Sequence, residues 1–254
     1  MSNSPMRNTW KVWSGSDKDW NQIASRLDNF NLYQSAEWSA HKHNSGWQHC
    51  RIFISDSDSV IHSAAQCLYR KGPLGSVVVW IPGGPIGNLN YVDANLVDTL
   101  KNHFQSRLIY VRSSMMCAST SAITNQLTTN GWFLAPMTIG ATASLVYALD
   151  ADENERLDRC SSNWKRNLKR SSRNPHPAYI WDSPNAQEIS DAYSYMDDFK
   201  KVKGVSLSRG VEEIQSVIDT FGDQLLCVRI DDTDGSPLAI RAAICIEDSA
   251  WDFI

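Results

Sequence analysis

Residues 76–82 read Ser-Val-Val-Val-Trp-Ile-Pro, an unbroken apolar run with Gly72-Pro73-Leu74-Gly75 before it and Gly83-Gly84-Pro85-Ile86-Gly87 after it. A strand-length run without alternation must be covered on both faces, so it reads as the central strand of a layered α/β structure. The neighbouring segments supply the layers. Residues 47–55 and 59–69 read as strands joined at the polar turn Asp56-Ser57-Asp58, a hairpin. Residues 17–30 carry Trp20, Ile23, Leu27 and Phe30 at helical spacing, 34–43 read as a helix closed by Asn44-Ser45-Gly46, and 92–105 carry Leu96, Leu100 and Phe104 on one helical side. A strand at 107–112, a helix at 115–129 and a strand at 141–149 complete an α/β order that opens with an antiparallel meander.

A second run of similar grammar follows. It has a long helix at 152–173, a strand at 178–181, helices at 186–201 and 211–221, and a hairpin of 224–231 with 238–246 around Asp232-Thr233-Asp234-Gly235-Ser236-Pro237. No low-complexity linker separates the runs, so domains 1–145 and 146–254 are expected to pack together. Residues 250–254 hold Trp251, Phe253 and Ile254 and read as the start of a further strand, which makes the second domain incomplete at its C-terminal end.

Composition narrows the class. A chain of 254 residues buries a core without disulfide or metal staples. With 42% hydrophobic and 20% charged residues it is not a disordered tail, a collagen-like chain or a coiled coil. No apolar run approaches the roughly 20 residues of a membrane helix. The net charge of −4 argues against bulk DNA binding. The ten tryptophans are spread along the chain, as core and cleft packing requires. The six cysteines lack any C-x-x-C spacing, and residues 1–18 are polar, so the chain reads as a cytoplasmic protein with reduced thiols and no secretory signal. His41-Lys42-His43 does not read as a metal site, because residues two apart on a helix do not share a face.

Three features could carry chemistry. Residues 159–173 hold Arg159, Lys165, Arg166, Lys169, Arg170 and Arg173 and no acid. They read either as the basic end of a dipole-complemented, solvated helix or as a surface for a phosphate-rich partner. Gly83-Gly84-Pro85-Ile86-Gly87 reads either as a plain turn or as a loop whose N–H groups face an anion or a carbonyl. Lys42 shares a helix face with Trp38 at i,i+4 and either covers that ring with its stem or reaches an anionic substrate. There is no G-x-S-x-G elbow, P-loop, G-x-G-x-x-G or coenzyme-A pyrophosphate loop.

Gln34-Ser35-Ala36-Glu37-Trp38-Ser39-Ala40-His41-Lys42, followed by Gly46-Trp47, resembles the Q-S-x-x-W-x-x-x-K … W opening of FemAB/FemX-type aminoacyltransferases. Val79-Trp80-Ile81-Pro82-Gly83-Gly84-Pro85-Ile86 resembles their Y-x-P-x-G-P segment, residues 108–112 the following strand, and residues 164–173 the basic helix of their second domain. Lys203-Gly204-Val205 and the hairpin after Gly222 fall in the same order, so the match is collinear over about residues 30–254.

The resemblance implies two GNAT-like (acetyltransferase-like) α/β domains with mixed sheets, the second truncated, around a substrate cleft. It implies transfer of an amino acid from aminoacyl-tRNA to an amine of a nucleotide- or lipid-linked peptidoglycan precursor. Neither metal nor coenzyme A takes part, and the protein's work is orientation and charge stabilisation. Lys42 then contacts the precursor's diphosphate, and Trp38, Gly84 and Arg209 belong to the same substrate site. Lys165, Arg166, Lys169, Arg170 and Arg173 face tRNA or other phosphates, in a cytoplasmic enzyme working at the inner membrane face. No catalytic residue is assigned: the family's last strands and catalytic lysine come after residue 254, so this chain alone is expected to turn over little. Two departures stand out. Val211-Glu212-Glu213 occupies the place of a family tyrosine, and Ser113-Ser114 the place where some members carry an acid. They keep open a GNAT-like acyltransferase of exopolysaccharide assembly with another acyl donor, and a non-catalytic binding module.

Overall fold

A computed structural model of the chain describes residues 9–137, 146, 152–173, 176, 178–195 and 210–253. The first half runs β1 (Lys11–Val12), α1 (Asp17–Ala24), α2 (Ala36–His43), β2 (Gln48–Ser55), β3 (Ile61–Lys71), β4 (Val77–Gly83), β5 (Ile86–Gly87), α3 (Ala94–Phe104), β6 (Ile109–Met115) and α4 (Ser121–Thr129). The second runs α5 (Glu153–Arg159), α6 (Ser162–Ser171), β7 (Ala178–Ile180), α7 (Ala186–Tyr195), α8 (Val211–Phe221), β8 (Leu225–Asp231), β9 (Pro237–Ile246) and β10 (Ser249–Asp252).

The first sheet has the order β1-β2-β3-β4-β6, with β5 on β3. It is mixed: β4 lies antiparallel to β3 and parallel to β6. The apolar run at 76–82 is therefore an interior strand, as expected, but it is not covered on both faces: Val78 is 44% exposed and Trp80 only partly buried. Side chains alternate across the sheet. Cys50, Ile52, Ile54, Ala65, Cys67, Val79 and Ile81 pack with Leu96 and Leu100 of α3 on one face. Ala64 and Ile86 pack with Trp20 and Ala24 of α1 on the other.

The second sheet has the order β10-β9-β8-β7 and is antiparallel throughout its described residues. Ile240, Ala242, Ile244 and Ile246 alternate inward from β9 against Ile189 of α7 and Ile214, Val217 and Phe221 of α8. The same cluster takes in Leu32, Trp38 and Leu68 from the first half, so the halves share a core. Residues 249–252 pair along β9, and Phe253 is buried in that core.

Three expectations need correction. The helix at 152–173 is two helices, because Ser161 turns extended and its hydroxyl oxygen accepts the Trp164 N–H at 3.3 Å, starting a new N-terminus. Arg159 therefore closes α5, while Lys165, Arg166, Lys169 and Arg170 lie on α6 and Arg173 just beyond it. The helix at 17–30 stops at Ala24, and Asn29 has a φ of 63°. The helix at 115–129 begins only after Thr120, which caps it through the Ile123 N–H, and Met115 belongs to β6. The strand at 141–149, the end of the helix at 186–201, Lys203-Gly204-Val205, Arg209 and the domain boundary lie outside the described residues.

Candidate functional site

The site is built on α2, where the halves meet. Ser35 caps the helix: its oxygen accepts the Trp38 N–H at 3.2 Å and its hydroxyl donates to the Leu32 carbonyl at 2.8 Å. Two turns of helix then place Trp38 and Lys42 on one side, and the Lys42 ammonium lies 4.6 Å from the centroid of the Trp38 ring. Tyr33 meets that ring edge-on at 4.8 Å. Trp38 is only 7% exposed and belongs to the shared core, so it supports Lys42 from below. Lys42 is half-buried.

The same helix faces α8 through Trp38 and the adjoining His41, whose rings lie 5.3 Å apart. Ser216 of α8 lies 2.8 Å from His41 Nδ1 and accepts the Asn44 side-chain amide at 2.9 Å. This polar contact sits inside an otherwise apolar junction formed by Trp38, Phe221 and Val217. Tyr33 approaches Trp251 of β10 at 6.1 Å, so both sheets border the seam. Next to it Trp47 stacks under the Arg70 guanidinium at 4.5 Å and leans on Trp80 at 5.9 Å.

A buried amide network fixes the glycine loop after β4. The Gln34 side-chain N–H donates to the Pro82 carbonyl at 2.6 Å, and its carbonyl oxygen accepts the Gln66 N–H at 2.7 Å. Asn31 donates to the Gly83 carbonyl at 2.8 Å. Gln66 donates to the Ser35 carbonyl at 2.6 Å and accepts from the Arg51 guanidinium at 3.0 Å. The loop fits around these amides only because it lacks side chains. A Cβ on Gly83 would lie 2.1 Å from Asn31 Oδ1, and one on Gly84 2.7 Å from Gln34 Nε2. Gly84 itself is buried, and its carbonyl accepts the Ser113 hydroxyl at 2.5 Å. The parallel ladder beside the loop is continuous from Val77–Ile109 to Gly83–Met115, so no gap opens between β4 and β6.

Of the residues singled out in the sequence, Trp38 and Lys42 come together, while Gly84 lies at the other end of α2, against Gln34. The cations of α6 form a separate exposed surface, where Lys165 pairs with Asp158 at 3.4 Å and Arg166 donates to Asn163 at 3.0 Å. Sequence reasoning missed the Asn31–Gln34–Gln66 bracket. Its one visible signal was Gln66, a polar residue inside the apolar stretch Ala64-Ala65-Gln66-Cys67-Leu68. Among the described residues no group of three or more metal-ligating side chains gathers, and no helix is long and apolar enough to cross a membrane.

These features define a mixed α/β architecture whose two sheets share a core joined through α2. The crystal structure of FemX shares it: the two superpose with a TM-score of 0.68 over 87% of this chain, at 15% sequence identity. The chain spans 57% of the length of that structure. No family model and no curated protein matches the sequence.

Proposed function

We propose that the chain is an acyltransferase of FemX type, in which Lys42 grips the phosphates of a nucleotide- or lipid-linked peptidoglycan precursor and an aminoacyl-tRNA supplies the acyl group. The supporting observation is the placing of Lys42. In a FemX-like fold it stands half-buried where the two halves meet, its ammonium on the Trp38 ring. A cation already held on an aromatic face loses little side-chain freedom on binding a phosphate. The chemistry asked of the protein is to bring an amine onto an aminoacyl ester and stabilise the developing oxyanion. Arg209 is read as a second phosphate ligand, and the cations of α6 as serving a phosphate-bearing partner.

The test is calorimetric titration of the full chain with a nucleotide-linked peptidoglycan precursor. Loss of one charge-assisted contact costs about 1.5–3 kcal/mol, so Lys42→Ala is expected to weaken binding about tenfold or more. Lys42→Ala binding as tightly as the parent would overturn the reading.

A further inference from the structure

Every residue of α6 is exposed, yet the helix is not uniformly polar. Trp164 and Leu168 are 61% and 40% exposed and lie one turn apart on one side. Lys165, Arg166, Lys169 and Arg170 occupy the other arc, Arg173 follows, and no acid occurs from Arg159 to Arg173. Leu157 of α5 and Cys160, its C-cap, line a notch with Trp164 and extend its apolar side, with Glu153 and Arg156 at the same notch. A helix serving only as a solvated face has no use for an exposed indole beside an exposed isobutyl group. Low overall hydrophobicity, a strongly basic face and a Trp/Leu edge are the marks of a helix that lies in a membrane interface. Its ten residues span about 15 Å.

We propose that α6 docks flat on an anionic lipid bilayer. Trp164 and Leu168 enter the boundary between headgroups and acyl chains, and Lys165, Arg166, Lys169, Arg170 and Arg173 bind lipid phosphates. Indole favours that boundary, and each cation near an anionic surface adds about fivefold to partitioning. An RNA would use the same cations and could stack a base on the indole, but it offers Leu168 nothing. The inference rests on reading these residues as phosphate-binding and is independent of acyl transfer.

The test is co-sedimentation of the full chain with vesicles of phosphatidylcholine alone or mixed with phosphatidylglycerol. Partitioning is expected only into the mixed vesicles and should fall with salt. The double variant Trp164→Ser, Leu168→Ser should bind about tenfold more weakly or worse. Arg166→Gln with Arg170→Gln should lose about fivefold per cation. All four side chains are exposed, so melting temperatures should stay at the parent value, and precursor titration on the same variants separates failure here from failure of the Lys42 reading. The proposal is overturned if mixed vesicles bind no chain, or if the Trp164/Leu168 variant partitions like the parent. It also falls if a tRNA transcript binds, vesicles do not, and only the arginine variant loses the RNA.

Discussion

Gln34→Leu isolates the amide bracket that shapes the glycine loop. Gln34 is 0% exposed. Leucine nearly preserves its volume, so the change removes hydrogen bonds rather than packing. A long bond to the Gln66 carbonyl at 3.3 Å goes, and with it the two short ones, to the Pro82 carbonyl at 2.6 Å and from the Gln66 N–H at 2.7 Å. Both partners are left buried, and leucine blocks a replacing water. Each orphaned group costs about 1–3 kcal/mol, which gives about 2–6 kcal/mol for the pair. Against a total of about 5–15 kcal/mol that is a large fraction. Urea unfolding followed by tryptophan fluorescence measures it, because the Trp20 indole N–H donates to the Gln34 carbonyl at 2.8 Å. With a slope of about 1–3 kcal/mol per molar urea, the midpoint should fall by about 1 M or more. A midpoint within about 0.3 M of the parent, at unchanged slope, would mean the bracket does not hold the loop.

Two further outcomes follow from local geometry. Gly83 has a φ of 67° and no room for a Cβ beside Asn31, so Gly83→Ala should destabilise by about 2 kcal/mol or more in the same assay; a neutral result would show that the loop relaxes freely. The Asp231 carboxyl accepts the Tyr179 hydroxyl at 2.6 Å and the Arg229 guanidinium at 2.5 Å, which hold its pKa below the ordinary value. A depressed folded value gives stability that is present above the unfolded value of about 3.9 and lost as pH falls through the folded one. Tyr179→Phe should therefore raise the carboxyl's titration midpoint by NMR and reduce acid sensitivity below about pH 4, and an unchanged midpoint would remove the hydroxyl from the explanation.

What was legible in the sequence was what local patterning encodes. The interior strand β4, the hairpin of β2 and β3, and the hairpin of β8 and β9 announced themselves through apolar runs and polar turns. The Trp38–Lys42 pair was visible because i,i+4 spacing fixes it. The break at Ser161 was hidden because the run of cations continues past it, although a serine before an aromatic residue was a usable cap signal. Gln34 was seen only as part of a motif; its partners lie 32 and 48 residues away, and no periodicity reports such distances. The contact of His41 and Asn44 with Ser216 lies 172 to 175 residues away along the chain and was equally invisible.

The position of α2 has a mechanical consequence. One helix is wall to the first sheet and, through Trp38, His41 and Asn44, neighbour to α8. A hinge movement between the halves would have to pull Trp38 away from Phe221 and Val217 and strip Ser216 of its partners. Such a movement would also drag the lysine that the Trp38 ring carries. Motion at the seam would therefore move the helix from which the Lys42 ammonium is aimed. Any substitution on α8 that loosens its grip on α2 will register first as a displaced charge.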